Sequence, residues 1–138
     1  MLHRMVLSAR SAIDLGAGSL SGPLGSLLTA CMKASIEDCL TGEMAWQGDH
    51  FFLVLEGDRQ PLLRYLASAR QDARLTGLRR LEFGPVDRRE FETWSVGRRA
   101  GQAGAGLDAL TAGEVRALIR SIIGENCLAT SPRLIQAA

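Results

Sequence analysis

The stretch FFLVLEG, residues 51–57, contains one ionisable side chain, Glu56, after five apolar residues in a row. A continuous apolar run of this length closed by Glu-Gly reads as a β-strand covered on both faces, hence central in a sheet. With side chains alternating, Phe51, Leu53 and Leu55 point to one face and Phe52 and Val54 to the other. Just upstream, LTGEMAW at 40–46 supplies another apolar run, and the turn-rich QGDH at 47–50 predicts an antiparallel hairpin between the two. Gly57 then makes a turn, with Glu56 capping backbone donors near the element that follows.

Outward from this hairpin, helix and strand periods alternate. On the N-terminal side, MVLSA at 5–9 reads as a strand with Met5, Leu7 and Ala9 on one face, followed by the glycine-rich loop GAGSLSGP at 16–23. Pro23 suits a first helical turn, and Leu24, Leu27, Leu28, Cys31, Met32 and Ile36 mark an apolar helix face ending near Asp38. On the C-terminal side, Asp58 is a candidate N-cap for a helix carrying Leu62, Leu66, Ala69 and Ala73, with Pro61 in its first turn and Gly77 ending it. LRRLEF at 78–83 reads as a strand with Leu81 and Phe83 inward, stopped by Gly84-Pro85, and WSV at 94–96 as a short fifth strand.

The order β-α-β-β-α-β-β predicts an α+β, ferredoxin-like sandwich with two helices on one sheet face. Residues 1–97 form that domain, and RRAGQAGAG at 98–106 has linker composition. Residues 107–138 form a C-terminal helical extension. Within it, Thr111 and Glu114 make a capping box, Val115, Leu118, Ile119, Ile122 and Ile123 form one stripe, and Gly124 is a candidate C-cap. Such a stripe must be buried, either on the open sheet face or against a second chain.

Composition excludes several classes. Sixteen Lys and Arg against 15 Asp and Glu give a net charge of +1, so no overall field favours nucleic acid or an anionic membrane. No run approaches the roughly 18 apolar residues of a membrane span, and three cysteines without a C-x-x-C pair fit a reducing cytoplasm. The glycines at 16, 18 and 22 lack the dinucleotide-fingerprint spacing, and the Arg pairs at 79/80, 88/89 and 98/99 alternate with acidic residues as a solvated mixed-charge face does. His3 and His50 have no ligand set around them in sequence, and Ser8 and Ser11 sit in no nucleophile elbow. No metal site and no catalytic constellation is expected, so the chain is not read as an enzyme.

Taken in order, LTG at 40–42, FFLVLEG at 51–57, RQDARLTGLRRLEFGPVDRREF at 70–91 and WSVG at 94–97 resemble the BLUF domains, flavin-binding blue-light sensors, over about residues 3–97. That resemblance implies a flavin pocket. At its positions this sequence carries Ala9 for the photochemical Tyr, Ser35 for an Asn, Leu53 for the switchable Gln, and Arg74 and Leu75 for an Arg-His pair. Trp94 is retained, and Val96 replaces a Met. The only tyrosine, Tyr65, is read as a packing residue of the second helix.

The resemblance therefore implies a sensory module with the polar pocket set removed. Two lost partners cost on the order of 2–6 kcal/mol, against about 8 kcal/mol for a micromolar site. The expectation is no bound cofactor and no normal photocycle, with action through an unidentified protein partner and a homodimer formed by the C-terminal helix or sheet face. The alternative is a sensor of light or redox state that still binds FAD, or another apolar ligand, in a modified pocket.

Overall fold

The structure, a computed structural model, describes residues 1–11, 33, 37–99 and 106–130. Its strands are β1 (Leu2–Ser11), β2 (Thr41–Gln47), β3 (His50–Asp58), β4 (Leu75–Pro85), β5 (Trp94–Arg99) and β6 (Cys127–Thr130). Its helices are α1 (Arg59–Gln71) and α2 (Ala112–Glu125), with a 3₁₀ turn at Leu107–Ala109. One six-stranded sheet runs β4-β1-β3-β2-β5-β6, so the apolar strand at 51–57 is interior, paired on both edges. β1 and β2 are each antiparallel to β3 and thus run parallel to one another with β3 between them, the split arrangement of the ferredoxin-like fold. Sequence and structure agree on an α+β sandwich.

The alternation along β3 divides the core in two. Phe51, Leu53 and Leu55 join Met5, Leu7, Met44, Trp46 and Trp94 beneath Leu62 and Leu66 of α1. Phe52 and Val54 join Val6 and Ala45 on the outer face, beneath Val115, Ile119 and Ile122 of α2. Each fully buried aliphatic or aromatic side chain here contributes roughly 1.5–3 kcal/mol of gross burial. The apolar stripe of the extension thus folds back on the open sheet face of its own chain. The helix expected over 24–38 lies outside the described residues except for Lys33, Glu37 and Asp38, of which the first two are helical.

Several local expectations change. β3 does not turn at Gly57 but continues to Asp58, with Gly57 paired to His3. α1 stops at Gln71, so Ala73 is exposed in the turn before β4 rather than on a helix face. Leu81 and Phe83 both point inward but to opposite faces, because the pairing with β1 slips between Val6 and Leu7 and a bulge reverses the alternation. The capping box at Thr111 and Glu114 is formed in both directions, at 3.2 and 3.0 Å, but α2 runs past Gly124 and is capped at Asn126. After it, β6 adds an edge strand to β5, an element the sequence did not announce.

Candidate functional site

Between α1 and the β4 edge of the sheet lies a cleft lined by Leu7, Ser8 and Ala9 of β1, Phe51 and Leu53 of β3, Tyr65 and Ala69 of α1, and Leu75 and Leu78 of β4. The sheet register makes it: Leu7 pairs with Leu53 and Ala9 with Phe51, so four side chains form one apolar patch facing the helix. Tyr65 and Ala69, four residues apart, close it from above. The space inside is about 10 Å³, room for about one water molecule.

Three of the seven positions at which the resemblance implies a pocket, Ala9, Leu53 and Leu75, meet in this cleft. Arg74 is beside it, its guanidinium held by Asp72 at 2.8 and 2.9 Å, and that pairing holds the Asp72 carboxyl below the usual carboxylate range. Trp94 is fully buried in the same core, its Nε1 donating to the Leu40 carbonyl at 3.0 Å. Ser35 lies outside the described residues. Sequence reasoning missed Tyr65, Ala69 and Leu78 as cleft residues. The i, i+4 spacing of Tyr65 and Ala69 was the signal that could have found two of them.

A flavin ring presents polar atoms along its edge, and each one buried without a partner costs about 1–3 kcal/mol. The side chains of Ala9, Leu53 and Leu75 carry no donor or acceptor for those atoms, and among the described residues the cleft they line encloses about 10 Å³. These three residues offer a flavin edge no side-chain hydrogen bond.

The motif residues outside the cleft hold the framework together. Glu56 is fully buried: one carboxylate oxygen accepts from Arg4 Nε and Nη2 at 3.1 and 2.8 Å, the other from the backbone N–H groups of Glu90 and Phe91 at 2.8 and 3.0 Å. It therefore caps the loop before β5, not the helix that follows it in sequence. Removing one partner of such a buried pair typically costs 3–5 kcal/mol. Arg89 bonds Thr41 Oγ1 and the carbonyls of Glu56 and Cys39. At Gly42 a Cβ would stand 1.8 Å from the Val54 carbonyl oxygen, so only glycine lets β2 lie this close to β3.

The outer face carries charges under α2. Glu90 is 3.4 Å from Arg4 Nη2, 2.5 Å from Arg116 Nη2 and 3.6 Å from Arg120 Nη2, and its hydrogen bond with Arg116 lowers its pKa. Glu43 of β2 lies nearby, and burial pushes its carboxyl above the usual range against the pull of Arg120. Arg99 of β5 binds Ser121 at 2.9 Å and also Glu125, fastening the far end of the helix. Among the described residues no helix is long and apolar enough to cross a membrane, and no group of three or more His, Cys, Asp or Glu could hold a metal ion.

A family model described as BLUF, sensors of blue-light using FAD, matches residues 8–97. Among solved structures the chain is similar to the BlsA ground state, with 14% identity and a TM-score of 0.67 over 97% of this chain and 93% of that one. It is also similar to BlrB, a BLUF protein in its dark state, at 18% identity and a TM-score of 0.56 over 87% and 80% of the two chains. A bacterial light-regulated adenylyl cyclase matches at 19% identity and a TM-score of 0.62 over 91% of this chain, which spans 34% of the cyclase. At such identities these structures show a shared fold. No curated protein sequence matches.

Proposed function

The chain belongs to the BLUF family, the sensor fold of blue-light photoreceptors, and from that membership we propose that it is a regulatory module that has lost the flavin photocycle and works through protein contacts. One observation carries the reading: Ala9, Leu53 and Leu75, at the positions where the family resemblance implies donors and acceptors, meet in a single cleft of about 10 Å³ whose lining is apolar except for Ser8 and Tyr65. Photoactivation in this family needs an electron donor and a switchable amide beside the ring. Ala9 and Leu53 can be neither.

In this reading the sensor module runs to the end of β5 at Arg99, because Arg98 and Arg99, read from the sequence as linker, pair with β2; 100–106 are the connection and 107–138 the extension through which it acts. The partner is a protein, either a second copy meeting it through the extension or sheet, or a separate effector, in the cytoplasm. The module does no catalysis itself. A second reading, a sensor for FAD or for a smaller apolar ligand bearing an acceptor, is favoured by Trp46. Its Nε1 is buried in the helix-side core and has no hydrogen-bond partner among the described residues, a donor that a ligand reaching this core could satisfy.

An absorption spectrum of the freshly purified full chain, taken with its native mass, separates the two. The leading reading expects no flavin bands and no added small-molecule mass. A yellow protein carrying FAD, with absorbance that shifts reversibly to the red under blue light, overturns it. Sedimentation of the full chain tests self-association, and a strict monomer leaves only a separate effector as partner.

A further inference from the structure

His50 opens β3 and is 5% exposed, set between two carboxylates from different parts of the chain. Its Nε2 is 2.8 Å from Asp108 Oδ1, in the 3₁₀ turn that leads into α2. Its Nδ1 is 3.0 Å from Asp49 Oδ1, in the β2–β3 turn, but off the line a hydrogen bond needs, so that contact is electrostatic. Arg10, opposite His50 on β1, places Nε 3.6 Å from Asp108 and 3.8 Å from Asp49. Arg79 of β4 donates to the Asp108 backbone carbonyl. On its own strand, the Phe52 ring lies 6.3 Å from the imidazole, its plane inclined by 24°.

Asp108 is thus gripped from β1, β3 and β4. Its neighbours Leu107 and Leu110 pack on the outer sheet face beside α2. The grip is a pin at the entrance to the C-terminal extension. Its chemistry depends on one proton. A neutral imidazole carries a single N–H: if Nε2 holds it, the Nδ1 lone pair faces the Asp49 carboxylate, and if Nδ1 holds it, the bond to Asp108 is lost. Only the charged ring attracts both carboxylates.

We propose that His50 is a proton-operated clasp, whose imidazolium form holds the 3₁₀ turn and α2 onto the sheet and whose neutral form relaxes that hold. Arg10 and His50 directly adjoin the cleft residues Ala9 and Phe51 along the same two strands, so clasp and cleft sit back to back across the sheet. The inference rests on the clasp geometry and stands whether or not the cleft takes a ligand.

The test is hydrogen exchange of the full chain at about pH 5.5 and pH 8, within the range where histidine changes charge, corrected for intrinsic exchange rates. Amides of residues 107–125 should be protected at the acid pH by on the order of tenfold more, the scale of a charge-assisted hydrogen bond. His50→Gln should flatten this difference, Asp49→Asn should shrink it, and His3→Gln should leave it unchanged. Equal protection at both pH values in the wild type, or an undiminished difference in His50→Gln, overturns the clasp. If His50→Gln does not fold, Asp49→Asn decides: its carboxylate is half-exposed and the change is tolerable, and an undiminished difference there overturns the clasp as well.

Discussion

Replacing Leu53 by Gln returns to β3 the side chain that the family resemblance implies at that position, and it tests the hydrocarbon character of the cleft directly. Leu53 is 3% exposed and paired between Leu7 and Met44, with Tyr65 and Ala69 above the same cleft. Losing its apolar burial forfeits roughly 1.5–3 kcal/mol. An amide left without a partner adds about 1–3 kcal/mol, since the space inside holds about one water. The variant should therefore be less stable by about 2.5–6 kcal/mol, a large share of the roughly 5–15 kcal/mol a domain possesses. Urea unfolding followed by the fluorescence of Trp46 and Trp94, both in the core being disturbed, reads this as a lowered midpoint at unchanged slope. Adding FAD at 100 times the dissociation constant of a real site would restore about 2.7 kcal/mol; no recovery is expected. A loss below about 1 kcal/mol, or recovery with FAD, would mean the site supplies polar partners, and the account of the cleft would fail.

Two further outcomes follow from the outer face. At Gly97 a Cβ would lie 2.8 Å from Ile123 Cγ1 and 2.9 Å from its Cα, so Gly97→Ala should overpack the contact by about 1–3 kcal/mol. Hydrogen exchange in α2 should accelerate while β1 and β3 keep their protection; acceleration throughout would show that α2 is not a separable layer. Glu43 has its folded-state pKa raised, mainly by burial, so the unfolded chain holds fewer protons and this residue's contribution to stability improves as pH falls through the folded pKa. Glu43→Gln should thus be the more stable protein near pH 7, with the gap closing as pH falls toward about 4. A constant gap would refute it.

The fold was legible because its decisive elements are local and periodic. Two faces of β3 could be separated from seven letters, and the stripe and capping box of α2 from fourteen. What escaped is non-local or irregular. The four residues of β6 are too few to show an alternation, and they are a strand only because β5 lies beside them. Leu81 reads as facing the same way as Phe83 until a slip against β1 reverses it, and nothing in LRRLEF marks that slip. His50 looked like a strand-end residue because its partner Asp108 is 58 positions away in a polar turn. The cleft was half legible: the alternation of β1 and β3 implied Ala9 and Leu53 together, whereas the roof of Tyr65 and Ala69 depends on how α1 rolls against the sheet.

The motif residues that carry the resemblance are, for the most part, residues that hold one another. Thr41 is bonded by Arg89, Gly42 admits Val54, Glu56 collects Arg4 and two loop amides, and Trp94 bonds the carbonyl of Leu40. Changing any of them leaves a buried group unpaired or a clash between strands, at a cost of about 1–5 kcal/mol. A cleft residue such as Ala9 or Leu53 can exchange polar for apolar without that penalty, provided the space closes around it. A chain can therefore keep LTG, LEG and WSVG, and with them the family match over 8–97, while its cleft turns to hydrocarbon. On the reading proposed above, scaffold and photochemistry are separable, and Ala9, Leu53 and Leu75 are the positions at which the variants test it.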